Sequence, residues 1–138
     1  MNKVVYASRG GNTKKLAEAV ARGACVSANS VEQLEINDTD ILFVGASIYA
    51  GKIDARLRSF LEIIKPEQVK TVVVFGTAAG NKTALPEIKA LLEPKGIFVS
   101  SDVFHCNGSF LFANRGRPNA EDLKNAESFA KKICGEKA

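Results

Sequence analysis

Apolar residues are distributed along the chain in two alternating rhythms. Five short runs read as strands, residues 3–8, 31–36, 40–46, 71–76 and 97–105, three of them near-continuous in Val, Ile, Leu and Phe, as parallel strands covered on both faces require. The second run is broken by Glu32, Gln33 and Glu35 and reads as an edge strand. Helical spacing occupies residues 12–23, 54–64, 83–92 and 119–134. Leu57, Phe60, Leu61 and Ile64 fall at i, i+3, i+4 and i+7, and Leu123, Ala126, Ala130 and Ile133 share one face of the last helix. Boundary signals agree: Asn119 with Asp122 after Pro118 and Asp54 read as N-caps, and Pro94-Lys95-Gly96 ends the third helix. The pattern predicts an open α/β sandwich of parallel strands joined by right-handed crossovers.

Composition narrows the functional classes. With 138 residues, 46% apolar and 25% charged, the chain suits one domain and excludes disorder, collagen-like repeats and coiled coils. The uncharged stretches 41–51 and 71–81 are eleven residues each, against the ~20 a membrane span needs. The N-terminal apolar run stops too early for a secretory signal, so a cytoplasmic location is expected. Cys25, Cys106 and Cys134 form no C-x-x-C pair, and the single His105 completes no cluster, so no structural metal is expected. Cys25 and Cys134 read as helix-end packing. The net charge is +4, but the pairs Lys14/Lys15, Arg56/Arg58, Arg115/Arg117 and Lys131/Lys132 are scattered; they describe a solvated surface rather than a nucleic-acid stripe.

In such a sheet a ligand binds beyond the carboxyl ends of the strands. The loop after the first strand is Ser8-Arg9-Gly10-Gly11-Asn12-Thr13 and runs straight into a helix. Glycines let the backbone curl around a ligand, and the helix start offers N–H groups and a positive dipole end, so the loop reads as a phosphate nest. The plainer alternative is a strand-to-helix turn with an Asn cap. No G-x-x-x-x-G-K-[ST] or G-x-G-x-x-G is present, which argues against a nucleoside triphosphatase. A receiver domain would need acidic residues where Ser8-Arg9 and Gly45-Ala46-Ser47 stand. No paired carboxylates or Ser/His/Asp set suits hydrolysis, and no catalytic residue is assigned.

The stretch Tyr6-Ala7-Ser8-Arg9-Gly10-Gly11-Asn12-Thr13 resembles the aromatic-x-Ser/Thr-x-x-Gly-Asn-Thr loop with which flavodoxins grip the phosphate of FMN. The likeness extends to the loops Gly45-Ala46-Ser47-Ile48-Tyr49-Ala50-Gly51 and Phe75-Gly76-Thr77-Ala78-Ala79-Gly80, and so spans essentially the whole chain. It implies a flavodoxin-like three-layer sandwich over residues 1–138, with a five-stranded parallel sheet in the order 2-1-3-4-5 and helices on both faces; flavodoxin is itself a standing example of FMN at that switch point. It also implies FMN contacts from Ser8, Arg9, Gly10, Gly11, Asn12 and Thr13, from Ala46, Ser47, Ile48, Tyr49, Ala50 and Gly51, and from Thr77, Ala78, Ala79 and Gly80. Tyr49 is the aromatic available in these ring-facing loops to stack on a flavin. Ala50-Gly51 resembles the family's flipping peptide, whose turn Gly makes cheap.

Three departures shape the expectation. The third loop lacks an aromatic, and Phe110 or Phe112 in residues 106–118 could cover the second flavin face; that segment resembles part of a subgroup of small bacterial flavodoxin-domain proteins. Arg9 and Lys52 place cations near the ligand. The chain is basic where flavodoxins are typically acidic. One added positive charge about 10 Å from the ring contributes roughly 0.4 kcal/mol, about 20 mV, which implies a flavin somewhat easier to reduce and a partner oxidoreductase with an acidic docking face. The leading reading is an electron carrier using FMN. Rivals are a small flavin-dependent reductase or dehydrogenase acting on a quinone or tetrapyrrole, since Gly45-Ala46-Ser47-Ile48 resembles menaquinone-dependent protoporphyrinogen dehydrogenases without their long insertion, and a binding module that has lost the flavin. His105 and Cys106, ending the fifth strand, read as a strand-end histidine and a buried thiol, with flavin tuning as the alternative.

Overall fold

The computed structural model describes residues 1–7, 11–33, 36–49, 52–78, 83–107 and 118–137. In chain order the elements are β1 (Asn2–Tyr6), α1 (Asn12–Ala24), β2 (Ala28–Ser30), β3 (Thr39–Tyr49), β4 (Lys52–Ile53), α2 (Ala55–Ile63), β5 (Val69–Ala78), α3 (Leu85–Leu92), a 3-10 turn (Glu93–Lys95), β6 (Phe98–Asn107) and α4 (Ala120–Lys137). Five strands pair in parallel in the order β2-β1-β3-β5-β6, which is the expected 2-1-3-4-5 arrangement counted over the parallel strands alone.

A sixth strand, β4, was not expected. It folds back on the end of β3 as an antiparallel pair, Ile48 opposite Ile53 and Tyr49 opposite Lys52. The edge strand also lies elsewhere than residues 31–36. Ala28, Asn29 and Ser30 pair with Val4, Val5 and Tyr6, after which residues 31–33 turn, with Gln33 N–H donating to the Ser30 carbonyl at 3.0 Å. The physical reason is the short reach of β1, which ends at Tyr6 and offers no further partner. Val31 and Ile36 pack instead against the core beneath α2.

Strong alternation in the central strands explains their continuous apolar character. In β3, Leu42 and Val44 face a core completed by Leu57 and Leu61 of α2 and Ile88 and Leu92 of α3. Ile41 and Phe43 face the other core, built with Leu16 and Val20 of α1 and Ala126, Ala130 and Ile133 of α4. Each fully buried Leu, Val or Phe contributes roughly 1.5–3 kcal/mol of transfer free energy. Caps read from the sequence are formed: the Asp54 carboxylate accepts from Arg56 N–H at 2.8 Å, and Asn119 and Asp122 accept from each other's N–H at 2.9 Å. Among the described residues no helix is long and apolar enough to cross a membrane, and no group of three or more His, Cys, Asp or Glu side chains could hold a metal ion.

Candidate functional site

The chain turns from β1 toward β2 on one side of the sheet and from β3 toward β5 on the other, so the carboxyl ends of β1 and β3 flank the switch point where such sheets bind ligands. α1 starts there. Its N-cap is Gly11, at φ 82° and ψ −5°, with Asn12 already the first helical residue. That left-handed conformation favours glycine, while the space a Cβ would enter is open for 4 Å. The first turn holds no acidic residue and instead presents exposed Lys14 and Lys15. Cations at the positive end of a helix dipole are unfavourable by themselves; an anion seated at the turn reverses that sign.

Three hydroxyls from three separate loops meet beside this turn. Thr13, fully buried, hydrogen-bonds through its Oγ1 to Ser47 Oγ and, at 3.1 Å, to Thr77 Oγ1. Ser47 and Thr77 are register partners in adjacent strands, so the sheet itself sets their spacing. Burying hydroxyls without partners is costly, and here each has one. The sequence marked all three positions, but not that they touch.

The second loop is braced by groups that the motif reading missed. Asp54 N–H donates to the Ser47 carbonyl at 3.1 Å, and Ile53 N–H donates to Glu87 Oε1 at 3.0 Å. Asp54, 2% exposed, also holds the Arg56 guanidinium at 3.2 Å. The hydrogen bonds to the Asp54 carboxylate, helped by its charge, raise the already high pKa of Arg56.

The remaining expected contacts divide. Ala46 is buried in the core shared with α2 and α3, and half-buried Ile48 packs against it, so both side chains lie on the other face of β3 from Ser47, which meets Thr13 of α1. Tyr49 and Ala78 end β3 and β5. Ser8, Arg9, Gly10, Ala50, Gly51, Ala79, Gly80, Phe110 and Phe112 lie outside the described residues. Lys52 is exposed on β4. Cys106 is buried on the α1 and α4 face, in agreement with the packing reading.

His105 sits opposite Gly76. It lines a crevice with Ile48, Thr83 and Val103 that is too tight for a water molecule. Its Nε2 is buried and has no hydrogen-bond partner among the described residues, and burial lowers the imidazole pKa below its usual 6.5.

A flavodoxin domain model matches residues 3–110. The chain belongs to the flavodoxin family. That is a family of flavin electron-transfer proteins, and the order of its strands agrees. Among relatives, the chain is 28% identical over 135 residues to an uncharacterized protein of Methanocaldococcus jannaschii, covering 88% of this chain and 89% of the relative. It is 31% identical over 86 residues to a flavodoxin of Clostridium beijerinckii, covering 54% of this chain and 62% of that one. Among solved structures, a flavodoxin from the domain Archaea superposes with TM-score 0.68 at 20% identity, covering 98% and 96% of the two chains. The rubredoxin oxygen:oxidoreductase of Desulfovibrio gigas superposes with TM-score 0.76 at 18% identity, covering 99% of this chain but 36% of that larger protein. These likenesses are of fold.

Proposed function

We propose that this flavodoxin binds FMN and shuttles electrons to or from a partner oxidoreductase. The observation that carries the reading is the start of α1: a left-handed glycine cap, two lysines with no acid in the first turn, and the buried Thr13, Ser47 and Thr77 hydroxyls beside it. This donor set fits a phosphate monoester, since hydroxyl and amide donors at a helix start are what a dianion needs. Residues 8–13 would hold the phosphate, with residues 46–51 and 77–80 flanking the ring and Tyr49 stacking on it. When bound, FMN supplies one- and two-electron chemistry at its ring. The protein's own part is to seat the phosphate, fix the ring between two loops and set the local charge. Exposed Lys14, Lys15 and Lys52 make this edge basic, which suits a partner with an acidic docking face.

Titration of the apoprotein with FMN tests the reading. Saturable quenching of flavin emission at one equivalent is the expected result, together with a reduced form that passes electrons to a protein acceptor faster at low salt than at high salt. Emission unchanged in excess FMN overturns the cofactor assignment, and salt-independent transfer overturns the acidic docking face.

A further inference from the structure

Helices α1 and α4 cover the same face of a parallel sheet, follow strands of the same direction, and so end together at the edge opposite the candidate site. They meet closely there. Arg22 Nε lies 3.1 Å from Glu127 Oε1, and a Cβ on Gly23 would come within 2.2 Å of the Glu127 carbonyl oxygen and 2.8 Å of the Ala130 Cβ. Cys25 follows two residues beyond that contact on α1, and Cys134 one helical turn beyond Ala130 on α4.

The two thiols stand at matching ends of the packed helices, Cys25 just past α1 and Cys134 in the last turn of α4. Cys25 caps α1 in the left-handed region at φ 59° and ψ 40°, and is exposed; that conformation is uncommon for a residue carrying a Cβ. Cys134 is half-buried, and its Sγ accepts from Asn2 Nδ2 at 3.4 Å, which fixes it beneath the two helix ends. Burial pushes the Cys134 thiol up, the Asn2 contact opposes this, and the charge of nearby Cys25 adds to the rise.

We propose that Cys25 and Cys134 form a redox-sensitive pair that closes a disulfide between the C-terminal ends of α1 and α4. The oxidant is a low-molecular-weight disulfide such as oxidised glutathione. The exposed Cys25 thiolate attacks one of its sulfurs, the S–S bond breaks, and one glutathione thiol departs. The Cys134 thiolate then attacks the Cys25 sulfur of the mixed disulfide and releases the second glutathione. Two protein thiols are oxidised and one small disulfide is reduced to two thiols, with the two protons carried away on glutathione. A helix end is where the movement needed to bring two Cα atoms within about 4.4–6.8 Å costs least. Because burial pushes the Cys134 thiol up, its attack on the mixed disulfide accelerates as pH rises.

The test uses the full chain and needs no flavin, so its failure is separable from failure of the FMN reading. Reduced protein is incubated with oxidised glutathione and then alkylated in denaturant. Alkylatable thiols are expected to fall from three to one, leaving Cys106, with an intact mass two hydrogens lighter and a peptide joining Cys25 to Cys134. Thermal unfolding of the oxidised form should rise by about 5 °C, reversed by dithiothreitol. In Cys134→Ser the reaction should halt with one glutathionyl group on Cys25, and in Cys25→Ser it should leave Cys134 alkylatable. Three alkylatable thiols after oxidation, stable glutathionyl adducts without the joined peptide, or a linkage found only between molecules would each overturn the pair.

Discussion

Helices α1 and α4 lie side by side on one face of the sheet and both begin near its carboxyl edge, yet their first turns are built differently. α4 satisfies itself: Asn119 and Asp122 exchange hydrogen bonds with each other's backbone, and Glu121 and Asp122 supply negative charge to the positive end of the dipole. α1 has a glycine where the capping side chain would be, no acid, and two lysines. One helix start is complete without a ligand. In the proposed reading an anion completes the other, and that asymmetry is what distinguishes the two starts.

Breaking each start should have different consequences. Thr13→Ala leaves Ser47 and Thr77 short of a shared partner and should destabilise the apoprotein by about 1–3 kcal/mol while weakening FMN at least about 10-fold; denaturant unfolding and flavin titration read the two effects. Asn119→Ala should cost about 1 kcal/mol of stability and leave FMN affinity unchanged. Exchanging charge should separate folding from binding altogether. Lys14→Glu with Lys15→Glu should stabilise the apoprotein by about 0.3–1 kcal/mol, yet weaken FMN several-fold, so the two measurements move in opposite directions.

The smallest expected effect comes from His105, away from both helix starts. Burial holds its folded pKa below the usual 6.5, so the unfolded chain takes up the proton first as pH falls. The contribution to stability is complete above about pH 6.5 and declines as pH drops toward the folded value. Urea midpoints measured across pH 5–8 should show this slope, and His105→Leu should flatten it.

Much of this was legible in the chain itself because each signal is local. The Val/Ile/Phe runs of β3 and β5 and the Asp54 and Asn119 caps depend on neighbours a few residues away. β2 was misplaced because Ala28-Asn29-Ser30 has no strand-forming character; its pairing is imposed by β1, whereas Val31 and Ile36, from the more strand-like stretch, pack on the wall beneath α2. β4 was missed because two residues carry no periodicity. The hydroxyl cluster is a long-range event: Thr13, Ser47 and Thr77 were each marked by motif, but only the β3 and β5 register and the position of α1 bring them into contact. Glu87 bracing Ile53 at the β3–β4 pair has no sequence signature at all.

Comparison of FMN with riboflavin on the same apoprotein tests the central claim most directly, because the two differ only in the phosphate group assigned to the start of α1. FMN should bind at least about 100-fold more tightly at low salt. Equal affinities for the two would contradict the account.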